Sequence, residues 1–144
     1  MNQKLADKVQ DFIKKSEYIS MMKIELLEID EEHAKGRMPY EKLYLNPYGT
    51  MHGGSLYSLA DTVAGSLANM SGYAVTTLEG NLHFLEPAWK TEYIYCDARM
   101  RRSGSHIITV DVDLKDDAGK VLDCGCYTFF RTDINLMDDQ SRAL

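Results

Sequence analysis

The residues of this chain whose types and spacing suit chemistry lie between positions 46 and 70. Gly53 and Gly54 carry no side chain, so the backbone there can approach a bound molecule closely. Asp61 follows Gly53 by eight residues, inside a helical pattern. A carboxylate among apolar and small neighbours has its ionised form destabilised by desolvation, which makes it a stronger base toward water. Taken alone, an Asp in a helix is more often a solvated or capping residue, so the interpretation depends on its surroundings.

The element that must position Asp61 is one long helix that follows a turn. Pro47 and Gly49 break regular structure before the helix begins. Apolar residues then recur at helical spacing: Leu56, Leu59, Ala60, Val63, Ala64, Leu67 and Met70. At about 100° per residue Asp61 lies off this stripe, on a second face of small and polar residues. That second face also contains Gly54, Tyr57, Ser58, Gly65 and Ala68. We therefore expect the helix to be buried on both sides.

The rest of the chain predicts a short helix and many strands. Apolar spacing indicates an amphipathic helix over residues 2–15, and residues 19–40 suggest a hairpin or a bent strand with a polar turn at 30–32. Four further strands are predicted at 74–85, 93–102, 107–114 and 121–130, joined in part by tight turns at 103–105 and 116–119. Gly80 interrupts the first of these and is expected to mark a bulge. The pattern predicts an α+β domain in which an antiparallel sheet covers the central helix.

Composition limits the classes of function. The 144 residues, 44% of them hydrophobic, match one globular domain over residues 1–144. A formal net charge of -6 argues against a nucleic-acid partner. No apolar run approaches the roughly 20 residues of a membrane span, and the charged N-terminal residues do not form a signal-peptide core. We expect a soluble cytoplasmic protein that binds neither nucleic acid nor membrane.

Cysteine and histidine usage predicts no metal site. Three cysteines in a chain without an export signal do not indicate a disulfide framework. Cys124 and Cys126 form a C-x-C without the second pair of a zinc site. His83 and His106 lack the clustered partners that a metal requires. We expect core packing for these two cysteines and for Cys96, and structural roles for the two histidines.

One segment resembles a known family. The motif H-G-G-S-L-Y-S-L-A-D at residues 52–61 is preceded by Asn46 and followed by T-T-L-E-G-N-L-H-F-L-E-P-A at residues 76–88. In these motifs the chain resembles the hot-dog-fold acyl-CoA thioesterases of the phenylacetate-pathway (PaaI-like) type, over nearly the whole domain. The resemblance implies a long central helix wrapped by a curved antiparallel sheet of about five to six strands, with a short N-terminal helix. It also implies a homo-oligomer, a dimer or a dimer of dimers, with active sites shared between subunits.

The same resemblance implies roles for individual residues. The backbone N–H of Gly53 would polarise the thioester carbonyl, and Asp61 would activate water or attack directly through an anhydride. Asn46 and His52 would hold the loop or contact the acyl group, and Thr77 would help to hold the water or nucleophile. The residues implied to bind substrate are Gly54 at the helix start and Arg101, Arg102, Ser103 and Gly104 in a turn that meets the nucleotide and phosphates of coenzyme A. An ordinary solvated turn is the alternative for the two arginines.

The predicted function is hydrolysis of a small aryl- or medium-chain acyl-CoA to the free acid and coenzyme A, with no cofactor beyond the substrate's own coenzyme A. One alternative is a non-catalytic acyl-CoA-binding module that senses or regulates. Another is a hydratase of the same fold, but those enzymes pair an Asp with a His five residues later, where this chain has Ser66. Relatives often have a basic residue at the position of Glu86 and a glycine turn at 89–91, so acyl specificity and coenzyme A contacts stay open.

Overall fold

A six-stranded antiparallel sheet packs around a 16-residue helix in residues 2–138, the part of the chain that this computed structural model describes. The helices are α1 (Gln3–Lys14), α2 (Glu17–Met21) and α3 (Gly53–Ala68). The strands are β1 (Glu25–Ile29), β2 (His33–Pro39), β3 (Tyr73–Phe84), β4 (Tyr93–Ser103), β5 (Ile107–Lys115) and β6 (Val121–Asn135). The predicted α+β class, the short N-terminal helix and the four long strands are confirmed.

The strands lie in the order β1-β2-β4-β5-β6-β3, and every neighbouring pair is antiparallel. Helix α3 packs against the concave face of this sheet, mainly on β4, β5, β2 and β3. β3 is an edge strand, because in the described part of the chain only β6 pairs with it. The helix that carries Asp61 is therefore covered by the sheet, and its closest edge is the long strand that carries Thr77.

The apolar stripe of α3 forms the centre of the core. Leu59, Val63 and Leu67 are fully buried against the sheet. Ala68, on the second face of the helix, is also fully buried, as expected for a helix covered on both sides. A short 3-10 turn extends the helix to Gly72, whose φ of 95° suits a residue without a side chain.

The chain between α1 and β1 differs from the prediction. Residues 17–21 form the short helix α2 instead of the start of a strand. Ser16 caps this helix, since its hydroxyl accepts a hydrogen bond from the N–H of Ile19 at 3.2 Å. Lys23 then takes a positive φ of 53° and ends the helical segment. The alternation of Met22 and Ile24, which suggested a strand, reflects two buried residues in the connection to β1.

The bulge in β3 also lies elsewhere than predicted. Thr77 pairs with Phe129 and Glu79 with Thr128, so the extra residue is Leu78 and not Gly80. Gly80 is required for a different reason: a Cβ there would overlap the hydroxyl of Tyr57 and the ring of Tyr127. These two tyrosine rings pack together with centroids 5.1 Å apart.

The cysteines divide between the two faces of the sheet. Cys96 is fully buried in the core, as predicted, and all three cysteines are free thiols. Cys124 and Cys126 are half-buried on the convex face, beside Arg99, Asp111 and other charged side chains, so the prediction of core packing is wrong for them. The reason is the strand period of two, which turns Tyr127 and Phe129 inward and the C-x-C pair outward.

None of the helices in residues 2–138 has the length and apolar character that a membrane crossing needs.

Candidate active site

Asp61 and Thr77 meet where α3 passes beneath the edge strand. The Thr77 hydroxyl donates a hydrogen bond to Oδ1 of Asp61 across 2.8 Å. Thr77 is placed next to the bulge at Leu78, which locally re-aims the strand. The structure therefore brings together two candidate residues that stand 16 positions apart in the sequence.

The surroundings of Asp61 change its acidity. Burial raises the pKa of Asp61 above its usual 3.8, and the hydrogen bond from Thr77 opposes part of that rise. A carboxylate with a raised pKa binds a proton more strongly, so it is a better base toward water. Its second oxygen, Oδ2, has no hydrogen-bond partner within residues 2–138 and can accept a proton from a bound molecule.

The turn before α3 is closed by the side chain of Asn46. Its Nδ2 donates to the Thr50 hydroxyl at 2.7 Å, and its Oδ1 accepts from the N–H groups of Tyr48 and Thr50 at 2.9 and 3.2 Å. The N–H of Asn46 also donates to the carbonyl of Thr50 at 2.8 Å. Asn46 thus holds the loop that leads to the helix.

His52 caps the N-terminus of α3 and thereby selects which backbone donor is left for a ligand. Its Nδ1 accepts the N–H of Gly54 at 2.8 Å, which requires the proton of a neutral ring to sit on Nε2. Within residues 2–138 the N–H of Gly53 has no acceptor. A donor at a helix N-terminus is suited to receive negative charge. A Cβ on Gly53 would lie 3.3 Å from the ring of Phe84, so the glycine leaves space over that ring.

A pocket of about 320 Å³ opens at this end of α3. Its lining includes Asn46, Gly53, Phe84 and Asp123, together with Thr50, Met51, Leu56 and residues 85–88. Asp61 does not line it, because eight residues of helix separate Asp61 from Gly53 by about 12 Å. In one chain the two central candidates therefore lie at separate places.

The four candidates of the β4–β5 turn lie farther away. One row of paired residues crosses four strands and consists of Thr77, Phe129, Ile108 and Ser103. Three strand spacings therefore separate Ser103 from Thr77, a distance of about 14 Å. Arg101 pairs with Asp111 at 3.4 Å, whereas Arg102 has no carboxylate partner within residues 2–138. Arg102 lies beside Gly104, where a Cβ would come within 3.6 Å of its guanidinium. These residues are exposed or half-buried and available to a ligand at the surface.

Asp123 is a pocket residue that the sequence interpretation missed. It is fully buried, and neither carboxyl oxygen has a hydrogen-bond partner within residues 2–138. Burial raises the pKa of Asp123 to about 7. One signal in the sequence could have identified it, since the period of two places Asp123 on the same inward face as Tyr127 and Phe129.

No group of His, Cys, Asp and Glu within residues 2–138 is arranged to hold a metal ion. His83 is exposed on the convex face. His106 is also exposed, and its ring stacks on Phe130 with centroids 6.2 Å apart.

The family of the chain follows from comparison with known proteins. The family model of the thioesterase superfamily matches residues 48–122, which include the α3 N-terminus, Asp61, Thr77 and Phe84. The chain belongs to the thioesterase superfamily. It is a thioester hydrolase with the hot-dog fold, as the resemblance implied.

Two individual proteins illustrate the likeness. The acyl-coenzyme A thioesterase PaaI of Escherichia coli is 27% identical to this thioesterase over 99 residues, which are 69% of this chain and 71% of PaaI. The solved structure of E. coli PaaI superposes with a TM-score of 0.82 at 23% identity, covering 89% of this chain and 96% of that one. The thioesterase HI1161 of Haemophilus influenzae superposes with a TM-score of 0.79 at 21% identity, covering 92% of each chain. These superpositions confirm the predicted hot-dog fold.

Proposed function

We propose that this thioesterase hydrolyses small aryl- or medium-chain acyl-CoA thioesters to the free acid and coenzyme A. The observation that carries the proposal is the half-buried Asp61 carboxylate, which accepts a hydrogen bond from Thr77 and has a raised pKa. The similarity to a protein described as an acyl-coenzyme A thioesterase supports coenzyme A as the thiol part of the substrate. A carboxylate prepared as a base favours hydrolysis over the alternative of a module that only binds acyl-CoA.

In the proposed reaction Asp61 removes a proton from water, and the water oxygen adds to the thioester carbonyl carbon. The carbonyl oxygen takes up the negative charge and accepts a hydrogen bond from the Gly53 N–H. Collapse of the intermediate breaks the C–S bond, and the coenzyme A thiolate receives the proton. In the second route Asp61 itself attacks the carbon and expels the thiolate, and water then hydrolyses the mixed anhydride. In both routes Thr77 fixes the orientation of the carboxylate.

The separation of Gly53 and Asp61 favours a site shared by two subunits. A separation of about 12 Å along one helix is too great for both to act on a single carbonyl group. The edge strand β3 exposes Leu78, Phe84 and the following Leu85, each more than half accessible. A long edge strand with exposed apolar residues is a template for pairing with a second chain. We propose a homodimer, alone or within a dimer of dimers, in which Gly53 of one subunit faces Asp61 of the other.

Coenzyme A would lie along the β4–β5 turn. Arg102 is exposed and has no carboxylate partner within residues 2–138, so its charge is available to a phosphate. Arg101 is already paired with Asp111 and would contribute less. Ser103 and Gly104 can offer a hydroxyl and an unobstructed backbone beside the arginines.

The experiment is a thiol-release assay over acyl-CoAs of different chain length and ring content, with wild type and Asp61→Asn. We expect turnover by wild type and a loss of kcat of about 100-fold or more in the variant, the usual size of a general-base contribution. Asp11→Asn, an exposed carboxylate on α1, is the matched control and should be as active as wild type. Failure to cleave any acyl-CoA would refute the proposed function, and full activity of Asp61→Asn would refute the role of Asp61.

A further inference from the structure

Asp123 is a fully buried carboxyl group without a hydrogen-bond partner among residues 2–138, and it lines the pocket at the start of α3. Most buried polar groups in proteins are hydrogen-bonded, because leaving one unpaired costs free energy. Two oxygens that both lack a donor therefore require an explanation. The raised pKa of about 7 is the expected response of a carboxyl group in such a place, but it does not supply the missing hydrogen bonds.

A bulge in β6 lies directly before Asp123. Leu114 pairs with Asp123 and Lys115 with Val121, so Leu122 is the extra residue. The two buried residues Leu122 and Asp123 thus follow each other at the inner side of the sheet. The bulge turns Leu122 inward as well, and bulges of this kind are common at strand ends beside functional pockets.

The pairing of β3 with β6 connects Asp123 to the candidate oxyanion donor. Phe84 lies directly opposite Asp123 in the ladder, so the two side chains point to the same face of the sheet. The ring of Phe84 also lies against Gly53, since a Cβ added to Gly53 would be 3.3 Å from that ring. All three residues line the same pocket, and Phe84 contacts Gly53 on one side and pairs with Asp123 on the other. A thioester carbonyl at the Gly53 N–H would therefore direct its acyl group over the ring of Phe84 toward the carboxyl group.

We propose that Asp123 is a specificity residue of the acyl pocket and that it binds an acyl group carrying its own hydrogen-bond donor, a hydroxyl or an amine. The inference rests on the proposed hydrolysis of acyl-CoA. The donor would satisfy the carboxyl oxygens, while an unsubstituted ring or chain would leave them unpaired in an apolar pocket. Sites built to hydrogen-bond a substrate group reject the analogue that lacks it much more strongly than apolar pockets reject a change of size.

The test compares matched substrates. Benzoyl-CoA and hexanoyl-CoA are each assayed by thiol release against their monohydroxy and monoamino derivatives, with the substituent placed at each position in turn. We expect wild type to favour at least one donor-bearing substrate over its parent by about 10- to 100-fold in kcat/KM, the effect of one hydrogen bond to a charged group. Asp123→Ala should bring this ratio close to one. Cys124→Ala, the next residue on the opposite face of the same strand, should keep the wild-type ratio.

A second variant separates hydroxyl from amine and guards against misfolding. Asp123→Asn preserves the shape and an accepting oxygen but not the charge, so it should retain the preference for a hydroxyl and lose the preference for a cationic amine. Circular dichroism should show native folding for at least one of the two Asp123 variants.

The outcomes distinguish this inference from the proposed function. If wild type cleaves donor-bearing and parent thioesters at equal kcat/KM, or if Asp123→Ala slows both members of a pair by the same factor, the inference is wrong while the proposed function stands. If wild type cleaves no acyl-CoA, the proposed function is wrong. Calorimetry then measures the binding of the same substrate pairs to wild type. A dissociation constant of the parent thioester more than 10 times that of the donor-bearing thioester would support the inference, and equal constants would contradict it.

Discussion

Thr77 on the edge strand donates a hydrogen bond of 2.8 Å to Asp61 on the central helix, and this bond lowers a pKa that burial raises. The two effects have opposite signs, so the acidity of Asp61 is set by their balance. A single hydroxyl can therefore adjust the pH at which the carboxylate becomes available.

Replacing Thr77 by valine should move the acidic limb of the pH profile of kcat/KM to higher pH. The substitution removes the hydrogen bond that favours ionised Asp61 while it keeps the volume of the side chain, so the pKa rises further. We also expect kcat to fall about 10-fold, because the carboxylate loses its fixed orientation. Thr76→Val, at the neighbouring exposed position, is the control and should leave the limb in place. An unchanged limb in Thr77→Val would contradict the assignment.

The His52 cap predicts a change in the stability of the fold. His52→Ala removes the acceptor of the Gly54 N–H, and the free energy of unfolding should fall by about 1 kcal/mol. His52→Asn offers another acceptor to the same helix end and should recover most of that loss. Denaturant unfolding measures both changes. Equal stability of the two variants would mean that the cap contributes nothing.

Asp123 predicts how the stability of wild type depends on pH. The unfolded chain releases this proton near pH 3.8, whereas the folded chain holds it up to about pH 7. Between these values the folded state binds more protons, so the free energy of unfolding falls as pH rises, by about 4 kcal/mol in total. Asp123→Asn lacks this contribution, so the free energy of unfolding of the variant relative to that of wild type should increase from pH 4 to pH 8. Denaturant unfolding at each pH tests this, and parallel curves would show that Asp123 does not titrate in this way.

The edge strand predicts the oligomeric state. Leu78→Lys places a charge on the exposed, bulged part of β3 and should shift the protein toward monomer in sedimentation velocity. Activity should fall at least about 10-fold at the same protein concentration, since a shared site is then incomplete. Leu27→Lys, an exposed leucine on the opposite edge strand β1, is the matched control and should preserve both assembly and activity. A fully active monomer would contradict a shared site.

The central helix and the long strands were predictable because their signals are local. The spacing from Leu56 to Leu67 fixes one face of a helix, and the turns at Gly104 and Gly119 separate the strands. Failures of the prediction arose where tertiary contacts decide. Glycine is required at position 80 because the side chain of Tyr57, a residue 23 positions earlier, approaches the backbone there. No local sequence pattern contains that contact.

The candidate site was predictable in part for the same reason. The contact between Asp61 and Thr77 joins a helix to a strand, and only the resemblance to a family suggested it. Asp123 was overlooked because a single carboxylate in a strand usually faces water, although its alternation with Tyr127 and Phe129 directs it inward. Burial, and not residue type, distinguishes it.

Strand β3 carries both Thr77 and the exposed apolar residues on which the proposed dimer depends. If Gly53 and Asp61 act on one thioester only across two subunits, the specific activity of this enzyme depends on its concentration. When the protein is diluted below the dissociation constant of the dimer, each chain would stay folded around α3, and activity would fall in proportion to the dissociated fraction. Adding an inactive variant with an intact β3 would restore activity, because it supplies a partner subunit.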